Sequence, residues 1–407
     1  MTFKVLSCGS NGSCQLGIRN ADDQDTLQVC SFETGEGKNA IHKTIDSKPV
    51  KIKCGGNHTL VLLENGDCYS CGDNSNGQCG FKDPLDNISY FKRVPFLNNS
   101  KWVDIAAGWE FSLLLNDLGE LFVCGYGPNG ELGLGRHKSE SLELDTLSST
   151  SLVKLCFQFS SPVKSLMSSI HNCLVICQNS DIYIWGNNKK GQFFDLRNEK
   201  NKSLKLIWEP KKMTLNIDNT FNSFKFGLSR DFISILKIAN DNDKIRYSID
   251  IQGKDNFYIQ KSVNDLQEIP NDDEKSKLDI LSMWSSIHII TKEFNNEGFE
   301  GVVTGLQSFG NNSHGQLPST QDLSNYRITD VSVGSEHGLF LISTDDGDNK
   351  VYAWGWGEHG NCGKHTKEDK SHQEDVTFDY FNIIYQGSDK IVLIQGGSAT
   401  SWIVTEK

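Results

Sequence analysis

The stretch Cys68-Tyr-Ser-Cys71-Gly72-Asp-Asn74-Ser-Asn-Gly77-Gln78-Cys-Gly80 decides how this chain is read, because its grammar occurs seven times. A short β-rich run leads to an aromatic residue or Cys, then to Gly, a few polar residues and often a second Gly. The first copy is Val5-Leu-Ser-Cys8-Gly9-Ser-Asn11-Gly12-Ser-Cys-Gln15-Leu16-Gly17. Later copies are Leu121-Phe-Val-Cys124-Gly125-Tyr126-Gly-Pro-Asn-Gly130-Glu-Leu132-Gly133 and Ile182-Tyr-Ile-Trp185-Gly186-Asn-Asn188-Lys-Lys-Gly191-Gln192-Phe193. Ile249-Asp-Ile-Gln252-Gly253-Lys-Asp-Asn256 is worn down to its Gly and Asn. Ser308-Phe309-Gly310-Asn-Asn312-Ser-His-Gly315-Gln316-Leu317 and Tyr352-Ala-Trp354-Gly355-Trp356-Gly357-Glu358-His359-Gly360-Asn-Cys-Gly363 complete the set.

A second signature precedes all but the first copy: a Gly or Ser pair, often His two residues on, then an apolar run. Its copies begin at Gly55-Gly56-Asn-His58, Ala107-Gly108-Trp109-Glu110-Phe111, Ser168-Ser169-Ile-His171 and Gly227-Leu-Ser-Arg-Asp-Phe232. The rest begin at Ser285-Ser286-Ile-His288, Gly334-Ser-Glu-His337 and Gly396-Gly397-Ser-Ala-Thr-Ser-Trp402. Turns such as Glu64-Asn65-Gly66-Asp67, flanked by alternating apolar residues, make each unit a small antiparallel meander. The chain opens on an unpaired copy of the first signature and closes on an unpaired copy of the second. That offset is the signature of a ring sealed by its ends: a strand near residues 3–8 completes the sheet formed by 391–393 and 401–404. The expected fold is all-β, one seven-bladed β-propeller closed by pairing of its N- and C-terminal strands. Spacings between the signature glycines run from 45 to 67 residues. A compact blade needs about 40–50, so the surplus is assigned to polar insertions near 19–47, 136–159, 195–220, 262–277 and 365–377.

Forty Lys and Arg against 52 Asp and Glu give a formal charge of -12, which repels phosphate backbones and anionic lipid. Direct nucleic-acid and membrane partners are not expected. No leader and no apolar span of membrane length stand out, so a soluble intracellular protein is expected. The 12 cysteines follow no regular framework and read as free thiols.

Together the two signatures resemble the RCC1 repeat, whose Gly-x-x-His-Ser-Leu type turn is followed by a Trp-Gly-x-Asn-x-x-Gly-Gln-Leu-Gly type turn. Within that family, the compact length and the run from Val351 to Gly363 are most similar to the fungal alpha-tubulin-suppressor, killer-toxin-insensitivity branch. That resemblance implies a heterodimer with the small zinc-binding diphthamide-biosynthesis protein. It further implies support of Elongator-dependent wobble-uridine modification of tRNA and of diphthamide formation on elongation factor two, in the cytoplasm and also the nucleus.

Tempting chemistry dissolves into the repeat. His58, His171, His288 and His337 are read as occupying one place in the unit, where a buried imidazole bridges neighbouring turns and where Phe111, Phe232 and Trp402 substitute. Cys68 and Cys71 have metal-knuckle spacing, but an odd separation on a strand sends them to opposite faces. Seven copies remove the phosphate-cradle reading of the glycines. No catalytic residue, no metal ligand and no cofactor is expected, and the chain reads as a binding protein rather than an enzyme. What exceeds the repeat is a partner-binding set: Trp109, Glu110, Tyr126, Trp356, Glu358 and His359, large aromatics beside charges in the loops. An acidic face would suit a small basic zinc protein. Two further readings compete: exchange factor for a small GTPase, as for the family's namesake, and ubiquitin-ligase adaptor, which usually carries extra domains.

Overall fold

In a computed structural model the described residues are all of 1–407 except 35–39, 83–86, 98–99, 136–146, 194–195, 198–200, 216–219, 241–243, 264–266, 271–275, 295–300, 319–325, 344–347 and 367–375. They form seven sheets, one for each pairing of the two signatures, antiparallel except where Phe32 bridges Phe91 in parallel. Blade 1 holds Pro49–Cys54, His58–Leu63, Cys68–Asp73 and Asn87–Arg93. Blade 2 holds Trp102–Ala107, Phe111–Asn116, Leu121–Tyr126 and Ser148–Lys154, and blade 3 Val163–Ser168, Asn172–Cys177, Ile182–Asn187 and Leu206–Met213. Blade 4 holds Ser223–Leu228, Phe232–Asn240, Lys244–Gly253 and Gln267–Pro270. Blade 5 shows three strands among the described residues, Ser276–Ser282, Ser286–Phe294 and Gly301–Gly310. Blade 6 holds Ile328–Val333, His337–Ser343, Asn349–Trp356 and Thr377–Gly387.

Blade 7 is the seam. Its inner strands are Lys390–Gly396 and Thr400–Glu406, and the amino-terminal Phe3–Gly9 pairs with the latter along its whole length, from Phe3 opposite Glu406 to Gly9 opposite Thr400. Gln24–Val29 lies outside that strand. The seam abuts blade 1 through Trp402, whose ring meets Phe91 at 6.0 Å, and through Thr59, whose hydroxyl donates to the Gln15 carbonyl at 2.9 Å.

One contact joins the two signatures inside every blade. The residue after the signature glycine donates its N–H to the carbonyl of the third residue of the second-signature turn. The pairs are Ser10 to Ala399, Asp73 to Asn57, Tyr126 to Glu110, Asn187 to His171, Lys254 to Asp231, Asn311 to Ser285 and Trp356 to Glu336, all at 2.7–3.1 Å. The seven glycines, from Gly9 to Gly355, have φ between 102° and 125°. A Cβ on Gly125 would lie 2.2 Å from the Glu110 carbonyl oxygen. Both the backbone angle and the approach exclude any side chain there.

A second set of contacts joins blade to blade, and it explains why Trp and Cys exchange before the signature glycine. Trp185 donates its indole N–H to the Glu131 carbonyl at 2.7 Å and Trp354 to the Gln316 carbonyl at 3.0 Å. Cys71 makes the equivalent contact with its thiol, to the Gln15 carbonyl at 3.3 Å. Cys68, on the opposite face, is equally buried, all 12 cysteines are free, and burial pushes the Cys71 thiol far above its ordinary value.

Two expectations are corrected. Four of the five stretches assigned to polar excursions contain strands. Gln24–Val29, Ser148–Lys154, Leu206–Met213 and Gln267–Pro270 are the outermost strands of blades 7, 2, 3 and 4, and Phe32–Glu33 and Ile41–His42 extend the blade 1 sheet. An outer strand is held by its ladder and meets solvent on much of its surface, so polar side chains suit it. Residues 35–39, 136–146, 195, 198–200, 216–219, 264–266, 271–275 and 367–375 of those stretches lie outside the described set. The four histidines, moreover, do not share one place. His58 and His337 are fourth in their turns and reach the next blade, with Nε2 at 2.8 Å from Ser112 Oγ and 2.9 Å from Ser401 Oγ. His171 is third, half exposed, with Nδ1 2.9 Å from Glu131 Oε1. His288 lies two residues past the turn, against Ser308 at 2.8 Å.

Two measurements check this account. Gly125→Ala is expected to cost more than about 2 kcal/mol in chemical denaturation, from the φ and the carbonyl clash. Gly12→Ala, where a Cβ meets nothing within 4 Å, is expected to stay within about 0.5 kcal/mol. Burial holds His58 and His337 down to about 4, so the unfolded chain takes up protons first as pH falls. Their contribution to stability is therefore intact above the ordinary histidine value and lost on descending from about 6.5 to 4. Melting across that range is expected to show a shallower loss in the His58→Phe, His337→Phe double variant.

Candidate functional site

Both signatures belong to turns at the same end of each meander, so all fourteen gather on one loop face. The second-signature turns crowd its centre. In each, the first residue donates its N–H to the carbonyl of the fourth: Gly55 to His58, Gly108 to Phe111, Ser169 to Asn172, Ser229 to Phe232, Met283 to Ser286, Gly334 to His337 and Gly397 to Thr400. The second residues then link around the axis. Gly56 donates to Trp109, Trp109 to Ile170, Arg230 to Trp284 and Trp284 to Ser335, at 2.8–3.2 Å, and Ser335 donates to Gly397 at 2.9 Å. Below this collar the innermost strands of all seven blades enclose a cavity of about 440 Å³.

The collar fixes the turn backbones and leaves their second side chains free to differ. Trp109 is 36% exposed, and its ring lies over Gly56, where a Cβ would come within 2.8 Å of it. Its ring centroid stands 5.8 Å from that of Trp284. Trp109 belongs to blade 2 and Trp284 to blade 5, so the pair meets across the mouth of the cavity.

The expected site residues fall into two groups on opposite sides of this mouth. Trp109, Glu110 and Tyr126 stand together on blade 2, with the Tyr126 N–H on the Glu110 carbonyl at 2.7 Å. Burial, with the charges of Asp73 and Glu131, lifts the Glu110 carboxyl above its ordinary value against the opposing pull of His171. Trp356, Glu358 and His359 stand together on blade 6. Trp356 is half-buried, stacked on His314 at 4.6 Å, while Glu358 is exposed. His359 Nδ1 lies 2.8 Å from Asp23 Oδ2 and ties blade 6 to the seam.

Trp284 was not in the expected set. Aligning Ser285-Ser286 with the glycine pairs shifts that copy by two residues and hides that Met283-Trp284 corresponds to Gly108-Trp109. The shared signal was the run of apolar strand residues after the turn, which fixes the register where the small pair does not. Lys53 and Ser332, two residues before the turn in blades 1 and 6, also line the cavity and carried no sequence signal beyond their place on a strand.

Charge divides the face. Asp23, Asp73, Glu110 and Glu358 lie on blades 1, 2, 6 and 7, whereas Lys189, Lys190, Arg230 and Lys254 lie exposed on blades 3 and 4. Beside the basic side, the worn copy replaces its second Gly segment by a short helix, Ile259–Ser262, held where Asp255 accepts the Ile259 and Gln260 N–H groups at 2.9 Å. Phe257 and Tyr258 project from it, exposed. Among the described residues no group of three or more His, Cys, Asp or Glu could hold a metal ion, and no helix is long and apolar enough to cross a membrane.

Family models described as regulator of chromosome condensation (RCC1) repeat match residues 50–78 and 102–131, and, in a second form, 65–115. These are blades 1 and 2. The RCC1 repeat-containing protein C10F6.04 of Schizosaccharomyces pombe is 26% identical over 409 residues, covering 99% of each chain. The mouse RCC1-like G exchanging factor-like protein is 32% identical over 142 residues, 34% of this chain and 31% of its own. Among solved structures, human WBSCR16 superposes with a TM-score of 0.66 at 16% identity, covering 100% of this chain and 99% of its own. Prp20p of Saccharomyces cerevisiae, whose described binding is to Gsp1p and histones, gives 0.68 at 18%, covering 100% and 92%. The chain is therefore a seven-bladed β-propeller whose blades 1 and 2 match the RCC1 repeat and whose fold is shared by WBSCR16 and Prp20p.

Proposed function

We propose that this propeller is a non-catalytic scaffold that holds a protein partner on its loop face, with blade 2 as the anchor. The observation that carries the reading is Trp109, an exposed indole held in place by Gly56, by Trp284 and by two backbone hydrogen bonds, beside the half-buried Glu110. A large side chain already immobilised loses little entropy on docking, which is what a hot spot requires. The partner suggested by the sequence resemblance is the small zinc-binding diphthamide-biosynthesis protein, and the complex would support Elongator-dependent tRNA modification and diphthamide formation. The acidic side of the face, with Asp73, Glu110 and Glu358, suits a basic patch on that partner, and its rim charges would act chiefly on the association rate.

A second reading, guanine-nucleotide exchange on a small GTPase, is favoured by relatives that carry exchange-factor names, among them the mouse protein that matches 142 residues. Affinity purification of the tagged chain with metal analysis of what co-elutes distinguishes the two. A small zinc or iron protein, lost by at least tenfold with Trp109→Ala plus Glu110→Lys, is the expected outcome. Capture of a nucleotide-free GTPase whose nucleotide release the chain accelerates overturns the scaffold reading in favour of exchange.

A further inference from the structure

Two residues that line the cavity beneath Trp109 and Trp284 carry hydrogen-bond donors with no acceptor among the described residues. The Lys53 ammonium lines it and has no ion pair or hydrogen bond among the described residues. Its neighbour Lys51 has its own partner in Asp104, and Asp330, farther down the wall, is paired with Lys292 at 2.7 Å. Ser332, 7% exposed, accepts twice at its Oγ, from Gln395 Nε2 at 3.2 Å and from the Gly396 N–H at 3.1 Å. A hydroxyl has two lone pairs and one proton. With both lone pairs used, its proton is left without an acceptor in the wall.

Lys53 and Ser332 occupy the same depth, each two residues before its turn, on blades 1 and 6 with Gln395 of blade 7 between them. Unpaired donors in a part-enclosed site favour an acceptor that brings negative charge. The collar tryptophans hold the turn position three residues beyond this level in their own blades, roughly 10 Å above. A volume of about 440 Å³ lies within the range of small-molecule sites.

We propose that this cavity binds a small organic anion, a carboxylate or sulfonate on a flat apolar body, with Lys53 and Ser332 holding the anionic group and Trp109 and Trp284 covering the body. The site shares Trp109 with the docking reading, but the donors that define it lie on the channel wall and not on the exposed face. Burial, reinforced by the Lys51 charge and opposed by Cys54 on the same strand and Asp104 on blade 2, holds the Lys53 ammonium down to about 8. The cation is therefore present at pH 7 and is lost on moving above 8. Binding of an anion falls over the same interval.

Two probes of matched shape test the site on the full chain: 8-anilinonaphthalene-1-sulfonate, and N-phenyl-1-naphthylamine, which lacks the sulfonate. Titration calorimetry is expected to show Lys53→Met weakening the sulfonate about tenfold, the scale of one charge-assisted hydrogen bond. The uncharged probe is expected to stay within about twofold, and Ser332→Ala to weaken the sulfonate by a smaller factor. Trp109→Ala should weaken both probes, and sulfonate affinity should drop between pH 7 and 9 in the native chain but not in Lys53→Met. Lys53→Met removes a desolvated charge, so its melting temperature should match or exceed that of the native chain, which separates a binding loss from misfolding. Equal affinity for the two probes, or indifference of the sulfonate to both Lys53→Met and Ser332→Ala, overturns the proposal. Partner capture by Lys53→Met should be unchanged, so a failure of this site leaves the docking reading standing and the reverse also holds.

Discussion

The fold rests on a clasp within each blade: a backbone N–H, placed just after a glycine of positive φ, donating to the carbonyl of the turn between the first two strands. It requires close passage of two main chains, and the missing Cβ is what permits it. Because the clasp ties the loop after the third strand to the turn after the first, it sets both at one end of the blade. The loop face and the collar around the axis follow from seven repetitions of that tie.

Once the clasps are made, little of the signature is left for function. The aromatic residue or Cys before the glycine reaches the previous blade's loop carbonyl, and the fourth turn residue in blades 1 and 6, His58 and His337, reaches a serine of the next. Buried groups of this kind must be satisfied, and here adjacent blades satisfy one another. The second turn residue enters the collar through its backbone, with Ser335 also accepting the Ala399 N–H at its Oγ. Gly56, Trp109, Ile170, Arg230, Trp284 and Ser335 are accordingly unlike one another, and the face draws its chemistry from them. The same separation holds on the strands around the channel, where Lys51 with Asp104, Lys225 with Asp279 and Lys292 with Asp330 bind structure to structure while Lys53 and Ser332 keep donors that no described residue accepts.

Much of this was legible in the residues. Seven signature glycines, the offset of the two repeats and the seam between residues 3–9 and 400–406 are all as read, because each depends on a local backbone requirement that only particular residues meet. The outer strands were not legible. Gln24–Val29 and Ser148–Lys154 are polar and irregular in pattern, and their place in a sheet comes from backbone pairing that leaves little mark on side chains. His171 and His288 were misplaced for a related reason: a turn aligned by small residues alone slips by one or two positions without penalty.

The sequence by itself determined the number of blades, the closure of the ring and the structural use of the signature Gly, Trp and Cys residues, since these are short-range demands of conformation repeated seven times. Only the tertiary structure decided which side chains meet across the axis. Trp109 and Trp284 are 175 residues apart along the chain and in blades that are not neighbours, as are Lys53 and Ser332, 279 apart. Their juxtaposition depends on the radius and closure of the whole ring, which no single repeat encodes.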